Sequence, residues 1–129
     1  MANPRTVEQL RAERALKCVQ KVKTDKDEYK TIARRSPATI QTNGLGQTLA
    51  FWRSKHKDKA GNIKPEGVIY DHVSEWVCPK MGWVQTPNEK DNKHLLVYLT
   101  QCATSDYRRA TVEAMAFLNW LKRFAEAEL

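Results

Sequence analysis

The chain has 129 residues, 41% of them hydrophobic and four of them Trp, which is enough apolar material for one packed core and excludes a wholly disordered chain. Lys and Arg number 22 against 15 acidic residues, giving a net charge of +7, so a polyanion, nucleic acid first, is the partner this balance predicts; a merely solubilising basic surface is the plainer alternative. No window has the apolar length of a membrane span, and the opening MANPRTVEQLRAERALK lacks the hydrophobic segment of a secretory signal, so no membrane partner is expected.

The pattern predicts an all-α fold, a single-domain bundle of about six helices over residues 1–129 with a long helix at the C-terminus. The first helix runs from about Thr6 to Lys23. Thr6 and Gln9 stand at capping-box spacing; Ala12, Ala15, Leu16, Val19 and Val22 share one face and Arg11, Arg14, Lys17 and Lys21 another. A short second helix, about Glu28 to Arg34, is expected to stop before Pro37, because the residue preceding a proline resists the α conformation. A third helix then starts at Ser36 as N-cap with Pro37 in its first turn and continues to about Ser54 or Lys55. It contains Gly44 and Gly46. Either a neighbouring helix or a ligand backbone approaches there too closely for a Cβ, or Gly44 ends one helix and Leu45 begins the next.

The segment Lys55 to Gly67, KHKDKAGNIKPEG, reads as a basic exposed loop. A fourth helix covers about Val68 to Cys78 and is expected to end at Pro79, opening a second loop over about 79–92. A fifth spans about Lys93 to Ala103. The sixth runs from Ser105, read as its N-cap, to Leu129 and is about 36 Å long if fully helical. Tyr107, Ala110, Ala114, Phe117, Leu118, Leu121, Phe124 and Ala125 form its apolar stripe, with Met115 at the edge. Arg108, Arg109, Asn119, Arg123 and Glu126 fall off it.

Residues that could carry chemistry are scattered. His56, His72 and His94 fit no ligand spacing; His56 reads as a solvated loop residue and His72 as a residue at the core edge or facing a partner. Cys18, Cys78 and Cys102 are odd in number, far apart and set among apolar residues, as expected of free buried thiols in a reducing cytoplasm. The acidic pairs Asp25 with Asp27 and Glu126 with Glu128 read as solvated helix ends and turns. The expectation is a non-enzyme with no cofactor and no metal. A nuclease built from distant carboxylates is a weaker rival, since such sites assemble without a local motif.

Basic clusters are more informative. Lys30, Arg34 and Arg35 end the second predicted helix. Arg53, Lys55, Lys57, Lys59 and Lys64 lie at and beyond the end of the third, opposed by Asp58 and Glu66. Arg108 and Arg109 open the sixth, and Lys122 and Arg123 close it. Such side chains neutralise phosphates without reading sequence. Trp52, Trp83 and Tyr70 are either stacking platforms for unpaired bases or core residues.

Two segments together resemble a known family. RRSPATIQTNGLGQTLAFWRSK (Arg34 to Lys55) has its basic end, Pro, Ile, Gly-Leu, apolar helix and Ser-Lys close. YRRATVEAMAFLNWLKRFAEAEL (Tyr107 to Leu129) is similar to its C-terminal helix, with Tyr107, Thr111, Glu113, Ala114, Trp120, Leu121, Lys122, Arg123 and Ala125 in matching places. The family is the small α-helical subunit of the type III-B CRISPR effector, the Cmr complex. Lys57 to Asn92 lies outside the resemblance.

The resemblance implies a cytoplasmic, non-catalytic subunit of an antiviral ribonucleoprotein. It would be present in several stacked copies beside other Cmr subunits and would touch the backbone of guide and target RNA. It implies Gly44, Leu45 and Trp120 as packing residues. Arg34, Arg35, Arg53, Lys55, Arg108, Arg109, Lys122 and Arg123 become RNA-facing candidates, joined by Lys57 from the basic loop. The alternative is a stand-alone basic nucleic-acid-binding module.

Overall fold

The computed structural model describes residues 4–86 and 92–129, and the expectation of a loop over 79–92 therefore lies partly outside the described residues. Six helices account for nearly all of its order: α1 (Val7–Gln20), α2 (Lys26–Asn43), α3 (Leu45–Ser54), α4 (Pro65–Met81), α5 (Leu95–Leu99) and α6 (Thr104–Glu128). No strand forms among the described residues; two isolated bridges, Lys57 with Ile63 and Thr86 with Lys93, close turns.

The capping box of α1 is present. Thr6 Oγ1 accepts the Gln9 N–H at 3.1 Å, and Gln9 Oε1 accepts the Thr6 N–H at 2.9 Å. The next boundary differs from the sequence expectation, because α2 runs straight through Pro37. A proline inside a helix leaves the carbonyl four residues back without its donor. Here that carbonyl belongs to Ala33, and the buried Ser36 hydroxyl donates to it at 2.8 Å. Ser36 thus repairs the helix that it was expected to start.

The break falls instead at Gly44, with φ +85° and ψ 160°, a conformation that favours glycine. An added Cβ there meets nothing within 4 Å, so Gly44 is a helix break rather than a close-packing site. The close approach belongs to Gly46. A Cβ on it would lie 2.9 Å from the Tyr107 hydroxyl, which accepts the otherwise orphan Gly46 N–H at 2.8 Å and so ties the start of α3 to α6.

Two more ends are corrected. α4 passes Pro79 and stops at Gly82 (φ +75°), where the Trp83 N–H reaches back to the Cys78 carbonyl at 2.8 Å in a Schellman-type close. α6 takes Ala103 as N-cap, with Ser105 already inside the helix. α5 is shorter than expected, its C-cap being Thr100.

α4 is the hub and packs against all five other helices. Ile69, Tyr70, Val73, Trp76, Val77 and Cys78 are buried on it. α6 lays the expected stripe, Ala110, Ala114, Phe117, Leu118, Leu121 and Ala125, against α1, α2 and α4. Trp76 stacks on Phe117 at 5.8 Å between ring centroids. Its indole N–H donates to Glu113 Oε1 at 2.7 Å. Arg11 of α1 grips the same carboxylate with two bonds of 3.0 Å and makes a neighbouring one to Glu8 of 2.7 Å, and Glu8 in turn accepts the Trp120 indole N–H at 2.8 Å. This chain of polar contacts joins α1, α4 and α6 in a fixed register. Burial alone would raise the Glu113 carboxyl; the hydrogen bonds from Arg11 and Trp76, with the Arg11 charge, outweigh it and hold the group below its ordinary value. Burial pushes the free thiols of Cys18 and Cys78 up to about 11, so both stay protonated at neutral pH.

Two outcomes test this packing. Gly67 packs so closely on the His56 backbone that an added Cβ would clash with the His56 carbonyl oxygen. Gly67→Ala is therefore expected to destabilise the fold by about 1–3 kcal/mol in urea unfolding; an unchanged midpoint contradicts the contact. For Glu113, a folded-state value below the unfolded one stabilises the protein above the ordinary value near 4.5, and that contribution disappears as pH falls through the folded value. Glu113→Gln should be less stable than the parent at pH 7, with the gap closing as pH falls below the ordinary carboxylate value. A gap independent of pH contradicts the role of the carboxylate charge.

Candidate nucleic-acid interface

The strongest basic cluster is built by the end of α3 and the loop after it. Asp58 organises the loop: its Oδ1 accepts the N–H groups of Ala60 and Asn62, each at 2.9 Å, and its own N–H donates to the Asn62 carbonyl at 2.9 Å. The bonds its carboxylate accepts, first those from Asn62, lower the Asp58 carboxyl. The loop then docks on α4, with the Lys64 N–H donating to the His56 carbonyl at 2.9 Å. Arg53 lies over the Tyr70 ring at 5.4 Å and Lys55 over the exposed Phe51 ring at 5.6 Å. Lys57 and Lys59 are exposed, and Lys64 approaches Glu66 at 3.9 Å.

His56 is not the solvated residue expected from sequence. Its Nε2 faces both oxygens of Asp71, at 3.1 and 3.2 Å. The loop and α4 are therefore joined by a side-chain pair as well as by the backbone.

The remaining candidates form two further groups. Arg108 and Arg109 are exposed at the start of α6, where Arg109 bridges to Asp106 at 3.3 Å. The Tyr107–Gly46 bond sets this group beside the start of α3, whereas Arg53 lies two turns further along that helix. At the other end of α6, Lys122 and Arg123 lie one turn before Glu126, which approaches Arg34 at 3.9 Å. The arginines at 108 and 123 are therefore about 22 Å apart along one rod. Arg35 is exposed beside Arg34 on α2. Among the candidate packing residues, Leu45 is fully buried; Trp120 is half-buried and stacks on Phe124 at 5.5 Å.

The aromatic platforms are largely withdrawn. Trp52 and Tyr70 are buried, and Trp83 is half-buried with one face stacked on Tyr98 at 5.2 Å. What stays at the surface at the end of α3 is charge, with the Phe51 ring beneath Lys55.

Sequence reasoning missed one basic surface. Arg14, Lys17 and Lys21 of α1 face Lys80 of α4 across a cavity of about 480 Å³ that also holds Glu13, Glu75 and His72. The helical spacing of the α1 cations was visible, but Lys80 comes beside them only through the packing of α1 on α4. His72 bonds the Tyr29 hydroxyl at 2.8 Å through Nδ1; burial, then the charges of Lys21 and Arg14, lower it to about 4, so it is neutral at pH 7. Among the described residues no group of three or more His, Cys, Asp or Glu is arranged to hold a metal ion, and no helix is long and apolar enough to cross a membrane.

Comparison with known proteins places the whole arrangement. A family model described as CRISPR-associated protein (Cas_Cmr5) matches residues 7–128. Among solved structures, the crystal structure of a CRISPR-associated Cmr5 family protein from Thermus thermophilus is similar in fold, with a TM-score of 0.73 and 24% identity over 96% of this chain and 97% of that one. The family match takes in all six helices and the basic loop, and with it the segment Lys57 to Asn92 that the sequence resemblance left out. The chain belongs to the Cmr5 family and is a small subunit of the Cmr complex of type III-B CRISPR systems.

Proposed function

We propose that this chain is a non-catalytic subunit that stacks in several copies within the Cmr complex and holds guide and target RNA by their phosphates, in the cytoplasm. The observation that carries the reading is the division of labour at the end of α3: Trp52 and Tyr70 are buried, while Lys55 is exposed at the C-cap of α3, Lys57 is exposed just before the turn that Asp58 fixes, and Arg53 lies half-buried over the Tyr70 ring. Cations beside withdrawn Trp52 and Tyr70 rings, with the exposed Phe51 ring under Lys55, suit backbone contact, which gives affinity without sequence preference. In an RNA-guided complex that is the fitting division, because base pairing reads the sequence and the protein holds the strand. The groups at Arg108 with Arg109 and at Arg34, Lys122 and Arg123 extend the same kind of contact along α6, where the helix keeps their spacing constant.

Filter binding of target RNA to the assembled complex across a salt series tests this. Arg108→Glu with Arg109→Glu, or Arg53→Glu with Lys55→Glu, should weaken retention. Each pair should also reduce the slope of log K against log salt by about 1.4 for every copy in the complex, the value for two lost single-strand phosphate contacts. Unchanged affinity and slope would remove those positions from the RNA path.

A further inference from the structure

The cleft beside the basic loop contains a second level of organisation. It has a volume of about 280 Å³ and lies where the end of α3, the loop, α4, the segment after α4 and the start of α5 converge. Two buried hydroxyls form its floor, Tyr70 at 1% exposure and Ser74 at 2%. Each accepts a backbone N–H from the first turn of α5: Tyr70 from Leu96 at 3.0 Å and Ser74 from Leu95 at 3.2 Å. A hydroxyl has one proton to give. The Tyr70 hydroxyl has no acceptor other than His94 Nδ1 among the described residues, which assigns its proton there, and Ser74 donates to Gln85 Oε1.

The consequence is a fixed polarity. With Nδ1 accepting, neutral His94 carries its proton on Nε2, and the His94 side chain makes no other hydrogen bond among the described residues. Burial, then the Arg53 charge, lower the His94 value and favour this neutral form, although the Asp71 charge opposes them. Gln85, with its oxygen engaged, keeps its amide NH₂ as the free end. Arg53 and Lys57 complete the lining with two positive charges. The single Nε2 of His56 bridges both oxygens of Asp71, one of the two carboxylates in the lining. Glu75, exposed at the edge of the cleft, is the other carboxylate in the lining.

We propose that this cleft is a phosphate-binding subsite in which Arg53 and Lys57 supply charge and His94 Nε2–H and the Gln85 amide supply oriented neutral donors. Tyr70 and Ser74 are positioning residues that act through His94 and Gln85. The inference deepens the RNA-backbone reading and rests on it for its biological ligand: one phosphate is held at a defined place, whereas the exposed lysines around it hold the strand diffusely. The phosphate comes from an internal phosphodiester or from a strand terminus.

Inorganic phosphate added to the full ¹⁵N-labelled chain tests the site, followed by backbone amide shifts and by the imidazole nitrogens of His94. Expected are saturable shifts at Arg53, Lys57, Gln85 and His94, with affinity reduced about tenfold by Arg53→Gln and by Gln85→Leu. Arg109→Gln should leave it unchanged. Tyr70→Phe should weaken binding and also release His94 into a mixture of tautomers, a signature that loss of packing alone does not give. Competition by RNA oligonucleotides with and without a 5′-phosphate then separates the sources: equal competition means an internal phosphodiester, and competition by the phosphorylated strand alone means a terminus. Absence of saturable shifts at His94 and Gln85, or binding indifferent to Arg53→Gln and Gln85→Leu, overturns the subsite even if charge reversal at Arg108 and Arg109 still releases RNA. If the cleft binds phosphate while no charge reversal affects RNA retention, the RNA reading fails and the subsite stands as an anion site alone.

Discussion

The packing of α4 against α6 is the contact on which the rest of the molecule depends. Trp76 stacks flat on Phe117, and its indole N–H ends on Glu113, where Arg11 arrives from α1 with two further bonds. A carboxylate withdrawn from water is costly unless its acceptor sites are filled, and here they are filled by two other helices. That requirement converts a nonspecific apolar contact into one register. The small residues Ala110, Ala114 and Ala125 on α6 let neighbouring backbones come close, while Phe117, Leu118 and Leu121 fill the space between them.

This register determines where the positive charge goes. Because α4 touches every other helix, the loop that precedes it is held against a rigid body. The lack of a Cβ at Gly67 lets the His56 carbonyl sit against the first turn of α4, and the His56–Asp71 pair holds the same junction from the side-chain level. The tight turn around Asp58 then keeps Lys57 and Lys59 outside. A protein whose partner is held by phosphates benefits from cations at fixed positions, since less side-chain and loop freedom is lost on binding.

Much of the fold was legible because its signals are periodic and local. The α6 stripe, the Thr6–Gln9 cap and the basic character of the loop follow from spacing and composition, and the structure contains all three. The prolines misled for a definite reason. Pro37 and Pro79 carry a steric penalty that sequence rules treat as an end, but Ser36 replaces the missing donor at Pro37, and at Pro79 only the last turn of the helix remains. Gly44 and Gly46 stand two residues apart yet do different jobs, one set by its own φ and the other by a tyrosine sixty-one positions away. Of the candidate interface, the exposed cations could be identified from sequence. The His56–Asp71 pair, the Lys80 wall opposite α1 and the oriented donors at His94 and Gln85 could not, because each depends on residues brought together by tertiary packing.

Ultraviolet cross-linking of the tagged chain in its native host, followed by mass spectrometry of RNA-linked peptides and sequencing of the attached RNA, tests the central claim most directly. The account predicts adducts on the peptides around Arg53 to Lys57 and Tyr107 to Arg109, carrying guide RNA or the transcripts paired with it. Recovery of the other Cmr subunits with RNA adducts on them and none on this chain would contradict it.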